Sequence, residues 1–104
     1  MLHVLIFEKA LEEKLISSVQ TSDQGTYLAL DLPFTQALID KLSSEVKNMM
    51  IQNIQPVMLV HPIIRARLRR LLERYIQGIA VISHNEIPQQ IKIKSAGVIR
   101  AHEG

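Results

Sequence analysis

The sequence predicts a single small α/β domain covering residues 1–104, with helices packed on a mostly parallel sheet. Three observations carry this expectation. Residues 57–60 (VMLV) and 79–82 (IAVI) are short, continuous apolar runs, the pattern of strands buried on both faces. Between them, Ile64, Leu68, Leu71, Leu72 and Tyr75 recur at helical spacing, and Gly78 follows as the residue type best suited to a left-handed helix stop. The residues before this β-α-β unit show further strand-like and helix-like patterns, which the reading adds to the same sheet.

Taken in order, residues 3–7 (HVLIF) are rich in strand-forming, apolar residues and predict a first strand. Residues 8–19 predict an amphipathic helix with Ala10, Leu11, Leu15, Ile16 and Val19 on one face. Glu8, Glu12 and Glu13 sit toward its start, where the helix dipole favours negative charge. Residues 20–25 are polar and end in Gly25, which predicts a loop, and residues 26–30 (TYLAL) predict a second strand. Asp31 ahead of Pro33 marks a helix start, with Phe34, Leu38, Leu42, Val46 and Met49 inward along residues 33–50.

After the β-α-β unit, residues 85–89 predict a turn. Ile91, Ile93 and Val98 predict a last strand, with Lys92 and Lys94 alternating outward as on a blunted edge. The expected order is β-α-β-α-β-α-β-β with right-handed crossovers. The final strand is expected antiparallel to its neighbour, because the turn is short for a crossover. Residues 100–104 read as a frayed end.

Composition narrows the function classes. With 47% hydrophobic residues, the 104-residue chain can build a core without cross-links. There is no Cys, so neither disulfides nor thiolate metal sites are available. The formal net charge of +2 is too small to imply nucleic acid by itself. No apolar run approaches the roughly 20 residues of a membrane helix, and the first residues do not begin a signal peptide, so this segment is expected to make no direct membrane contact.

The arginine helix is the richest chemical feature. At about 100° per residue, Arg67, Arg70 and Arg74 fall together on the face opposite the leucines, with Arg65 and Arg69 flanking the apolar stripe. Such a face is a solvated helix back with an Arg69–Glu73 pair, a docking surface for an acidic protein, or a phosphate-binding surface for nucleic acid. Nucleic acid is the weakest of the three, since only two Tyr and two Phe are available for stacking. No histidine among His3, His61, His84 and His102 has a partner at metal-ligand spacing, and Ser83-His84-Asn85-Glu86 is not a triad, because neighbouring side chains in extended chain point apart. Neither glycine-rich phosphate loop is present. The residues thus read as a binding module with no catalytic residue, cofactor or metal. The partner-binding candidates are Arg65, Arg67, Arg70 and Arg74. The rival reading is a nucleic-acid or nucleotide-binding module using the same helix.

The ordered set SVQ at 18–20, GTYLAL at 25–30, PVMLV at 56–60, IR at 64–65, LRRLLER at 68–74, AVIS at 80–83 and NEIP at 85–88 resembles one family over nearly the whole chain. It is similar to the last cytoplasmic subdomain of the type III secretion and flagellar export-gate family (FlhA/InvA/LcrD). The chain departs from the family pattern at Ala66, Gln77 and His84. The resemblance implies a non-enzymatic piece of a larger protein at the cytoplasmic face of the bacterial inner membrane. It also implies neighbouring copies in a ring. Its partners would be other export-apparatus proteins: the stalk protein of the export ATPase, gatekeepers, or chaperone–substrate complexes.

Overall fold

A computed structural model describes residues 1–100 of the chain. The elements run β1 (Leu2–Phe7), α1 (Lys9–Ser17), β2 (Val19–Ser22), β3 (Gly25–Leu28), α2 (Leu32–Ile51), β4 (Val57–Val60), α3 (Pro62–Glu73), β5 (Ala80–Ser83), a 3₁₀ turn (His84–Glu86) and β6 (Ile93–Ile99). The main sheet has the order β5-β4-β1-β6, and every neighbouring pair in it is parallel. The α/β class with three helices on a mostly parallel sheet is therefore the observed one.

Alternation along the strands sorts two cores. Leu5, Phe7, Met58, Val60, Val81 and Ile99 point to the face that carries all three helices, where they meet Leu11, Leu15, Leu38, Leu42, Val46, Met49, Ile64, Leu68 and Leu72. Val4, Val57 and Leu59 point to the other face and pack with Leu2, Ile6, Ile82 and Ile87. All four residues of β4 are buried, as its unbroken apolar run demands.

The helix ends follow their local chemistry. The Asp31 carboxylate accepts from the Phe34 backbone N–H at 2.8 Å and caps α2. At the other end, Asn53 adopts a left-handed φ of 60°, Ile54 N–H reaches back to Met49 carbonyl at 2.8 Å, and Asn53 N–H to Met50 carbonyl at 3.0 Å. That is a Schellman motif with asparagine in the place glycine usually takes. Gly78 does adopt a left-handed φ, 84°, in the turn into β5.

Four expectations change. The last strand is not antiparallel to β5. It lies parallel to β1 at the opposite edge, with a register shift between Val4 and Leu5. Residues 84–92 can span up to roughly 30 Å when extended, and crossing three strand spacings takes only about 14 Å. This return passes over the face without helices, where Ile87 packs. Progress across the sheet and the covering face both reverse, so the crossover keeps the hand of the helical ones.

Secondly, residues 19–28 are an antiparallel hairpin outside the main sheet, with Val19 opposite Leu28 and Ser22 opposite Gly25. Asp23 and Gln24 form its two-residue tip and Gly25 takes a φ of 117°, so the expected loop is strand and turn. Thirdly, α3 stops at Glu73, where Tyr75 N–H bonds to Leu72 carbonyl at 3.0 Å and the last turn tightens. Ile76 therefore continues the buried stripe, while Tyr75, expected inward, is 54% exposed. Fourthly, Ala10 is exposed, since α1 buries only Leu11 and Leu15. The expectation for residues 100–104 falls, beyond Arg100, outside the described residues, as does His102.

Leu72 is 1% exposed under the sheet–helix interface. Replacing Leu72→Ala should cost about 2–5 kcal/mol, the usual range for a core leucine. Urea unfolding of the two proteins measures the difference, and a loss well under 1 kcal/mol would mean that α3 is not held on the sheet by this stripe.

Candidate functional site

The candidate site is built on α3. His61 caps the helix, its Nδ1 accepting from Ile63 N–H at 3.1 Å, and Pro62 begins the helix with its preset φ. The His61 N–H in turn donates to Glu12 Oε2 at 3.1 Å, which ties the helix start to α1. Ile64, Leu68 and Leu72 then fix the rotation of the helix against the sheet.

That rotation splits the arginines between two flanks. At about 100° per residue, Arg65, Arg69 and Glu73 follow one side of the buried stripe, and Arg67, Arg70, Leu71 and Arg74 follow the other. On the first flank the charges are paired. Arg65 Nε meets Glu86 Oε1. Arg69 Nε lies 3.1 Å from Glu73 Oε1, the expected i,i+4 pair. On the second flank, Arg67, Arg70 and Arg74 have no carboxylate within 4.0 Å among the described residues.

The second flank exposes Arg70 and Arg74, as expected of a face turned from the leucines, and leaves Arg67 half-buried. The β2–β3 hairpin stands beside it, and the two enclose a groove of about 210 Å³ lined by Thr26, Tyr27, Leu28, Leu30, Thr35, Arg67, Arg70, Leu71 and Arg74. Leu71, expected fully buried with its neighbours, is half-buried because it forms the groove floor. The structure therefore brings Arg67, Arg70 and Arg74 to one groove, while Arg65 lies on the other flank against Glu86. The sequence reading missed the hairpin residues of this site. The signal was there in the threonines and tyrosine on either side of Asp23-Gln24-Gly25, a two-residue turn with its glycine.

Arg65 belongs to the turn after β5. Glu86 accepts from Ser83 N–H at 2.9 Å and from Ser83 Oγ at 3.1 Å, and Arg65 approaches the same oxygen. The Ser83 backbone N–H, chiefly, and also the Ser83 hydroxyl and the Arg65 guanidinium hold the Glu86 carboxyl below its ordinary pKa, against the opposing effect of desolvation. His84 in the same turn is exposed. Among the described residues no three His, Cys, Asp or Glu side chains are placed to hold a metal ion. None of their helices is long and apolar enough to cross a membrane.

The FHIPEP family model matches residues 1–92. The chain belongs to the FHIPEP family. Low calcium response locus protein D of Yersinia pestis is 33% identical over 94 residues, which are 90% of this chain and 13% of that protein. The flagellar biosynthesis protein FlhA of Bacillus subtilis is 26% identical over 98 residues, 94% of this chain and 14% of that protein. The chain thus spans about an eighth of the length of these curated relatives. Among solved structures, the nonameric EPEC SctV-C superimposes with a TM-score of 0.78 at 24% identity, over 94% of this chain and 29% of that one. The CdsV–CdsO complex of Chlamydia pneumoniae superimposes with a TM-score of 0.73 at 26% identity, over 93% of this chain and 28% of that one. The FHIPEP export-gate family is the one the ordered sequence motifs resemble. Its members serve type III secretion, flagellar biogenesis and the protein export apparatus.

Because the Glu86 pKa is lowered on folding, its contribution to stability is present above the ordinary carboxylate range and is lost as pH falls through the lowered value. Glu86→Gln should therefore lower the melting temperature at pH 7 and make a smaller difference at pH 3. Equal differences at the two pH values would show that the carboxylate charge does not hold this turn.

Proposed function

We propose that this chain is a non-enzymatic protein-interaction subdomain of a type III export gate, flagellar or injectisome. It works as part of a larger protein at the cytoplasmic face of the bacterial inner membrane. The observation that carries this reading is the family match over residues 1–92. Support for protein docking comes from the relative CdsV, one solved structure of which is a complex with CdsO. Support for neighbouring copies comes from the nonameric assembly of SctV-C. In this reading the partners are other export-apparatus proteins: an ATPase-stalk protein, gatekeepers or chaperone–substrate complexes.

The unpaired flank of α3 is the docking surface in this proposal. Its guanidinium groups steer and orient an acidic partner more than they set the affinity. Exposed ion pairs contribute about 0–1 kcal/mol each, so no single arginine is indispensable.

A chimera tests the proposal. This chain replaces the matching segment of a full-length export-gate relative, and secretion is measured in cells lacking their own gate protein. The chimera should restore secretion. The same chimera with Arg67→Glu, Arg70→Glu and Arg74→Glu should secrete less than about a tenth as much, while the isolated triple variant keeps its circular dichroism spectrum and melts within a few degrees of the parent. Full secretion by the triple variant would remove this flank as the docking surface.

A further inference from the structure

We infer that the groove between the β2–β3 hairpin and α3 receives an acidic helix, which lays a row of carboxylates along Arg67, Arg70 and Arg74 and turns one aliphatic side chain down between Leu28, Leu30 and Leu71. This rests on the docking role proposed above and names the class of ligand for it. The first argument is spacing. Arg67 and Arg74 are separated by seven residues of helix, a rise of about 10.5 Å, so no single phosphate or carboxylate meets both. The steps from Arg67 to Arg70 and from Arg70 to Arg74 rise about 4.5 and 6 Å. Acidic residues three and four apart on a second helix reproduce both steps. Alternate residues of an extended strand, about 6.6 Å apart, overrun the row by about 3 Å.

Charge and shape agree with this. The three guanidinium groups have no carboxylate within 4.0 Å among the described residues, whereas Arg65 and Arg69 on the opposite flank are neutralised by Glu86 and Glu73. The groove, about 210 Å³, is the size of a side chain rather than of a helix body, so the ligand lies across the mouth and inserts a single residue. Its floor of Leu28, Leu30 and Leu71 is aliphatic, which suits an apolar side chain better than a stacked base. By comparison, the larger depression beside His3, Glu45 and Lys94 has mixed charge and no such row.

The isolated 104-residue chain is titrated against a fluorescein-labelled helical peptide of about 16 residues at roughly 0.15 M salt. The peptide carries glutamates spaced four and then three residues apart, the order that matches the arginine row for a helix running antiparallel to α3, with a leucine between them. Fluorescence anisotropy should saturate with a Kd below about 1 mM. The double variant Arg70→Glu with Arg74→Glu should weaken binding at least about ten-fold, as should glutamine in place of the peptide glutamates, while Arg69→Glu on the paired flank should change it less than about two-fold. Amide resonances should shift at residues 26–30 and 67–74 and stay in place along β6. Equal loss in Arg69→Glu, no saturation at all, or tighter binding of an oligothymidine than of the peptide would each overturn the inference. Any of these results alongside a secretion defect in the triple-variant chimera would leave the docking role standing and the ligand class wrong.

Discussion

The packing of Ile64, Leu68, Leu72 and Ile76 against Val60 and Val81 is the constraint on which the rest of this molecule depends. All four are at or near zero exposure, and each buried aliphatic side chain contributes about 1.5–3 kcal/mol relative to exposure. Rolling α3 by a quarter turn would bring Arg65 or Arg67 under the sheet and expose leucine, an exchange that costs several kcal/mol. The helix therefore has one rotation. The separation of its arginines into a paired and an unpaired flank is a consequence of that rotation, not an independent design.

Each flank then meets a different neighbour. The paired flank faces the turn that starts the return of the chain across the bare side of the sheet. There Arg65, Glu86 and Ser83 share a small hydrogen-bonded knot. The unpaired flank faces a hairpin that belongs to neither strand order nor helix layer. That hairpin is held by Val19, Leu28 and Leu30 on the helical core, and by the Ala29 N–H donating to Ser18 carbonyl at 2.8 Å. A hairpin anchored at its base, with the Thr21 and Thr26 hydroxyls in contact across its strands, forms one wall of a groove without closing it. Surface chemistry and scaffold are thus separable: leucines set the geometry, and arginines and hairpin supply the recognition.

The β-α-β unit was legible because each of its signals is local. Continuous apolar runs give buried strands, helical spacing gives the stripe, and Gly78 marks the turn through its φ preference. What was not legible depends on partners distant in sequence. The β6 strand pairs with β1 because the connection passes over the opposite face, and nothing within residues 84–99 alone states that. Residues 20–25 were read as a loop and residues 26–30 as a strand of the main sheet, because the hairpin strands are only four residues long and mostly exposed, so alternation carries little apolar signal. Arg67, Arg70 and Arg74 were recognised as one cluster. Their place along a groove that also includes Leu71 becomes visible only once the hairpin is known. Arg65, read from its spacing as flanking the apolar stripe, does lie there, and its partner Glu86 was not legible because it is 21 residues away in sequence.

The chain has no cysteine, so a pair introduced across the groove can be cross-linked without side reactions within it. Thr26→Cys with Arg70→Cys places one thiol on each wall, and a short bismaleimide should join them within a single molecule, whereas Thr26→Cys with Arg69→Cys should remain unlinked because Arg69 lies on the other flank. The linked protein should keep its melting behaviour and fail to capture the export-apparatus partner that the unlinked double variant still binds. Full capture by the linked protein would contradict the account, since a closed groove cannot receive anything.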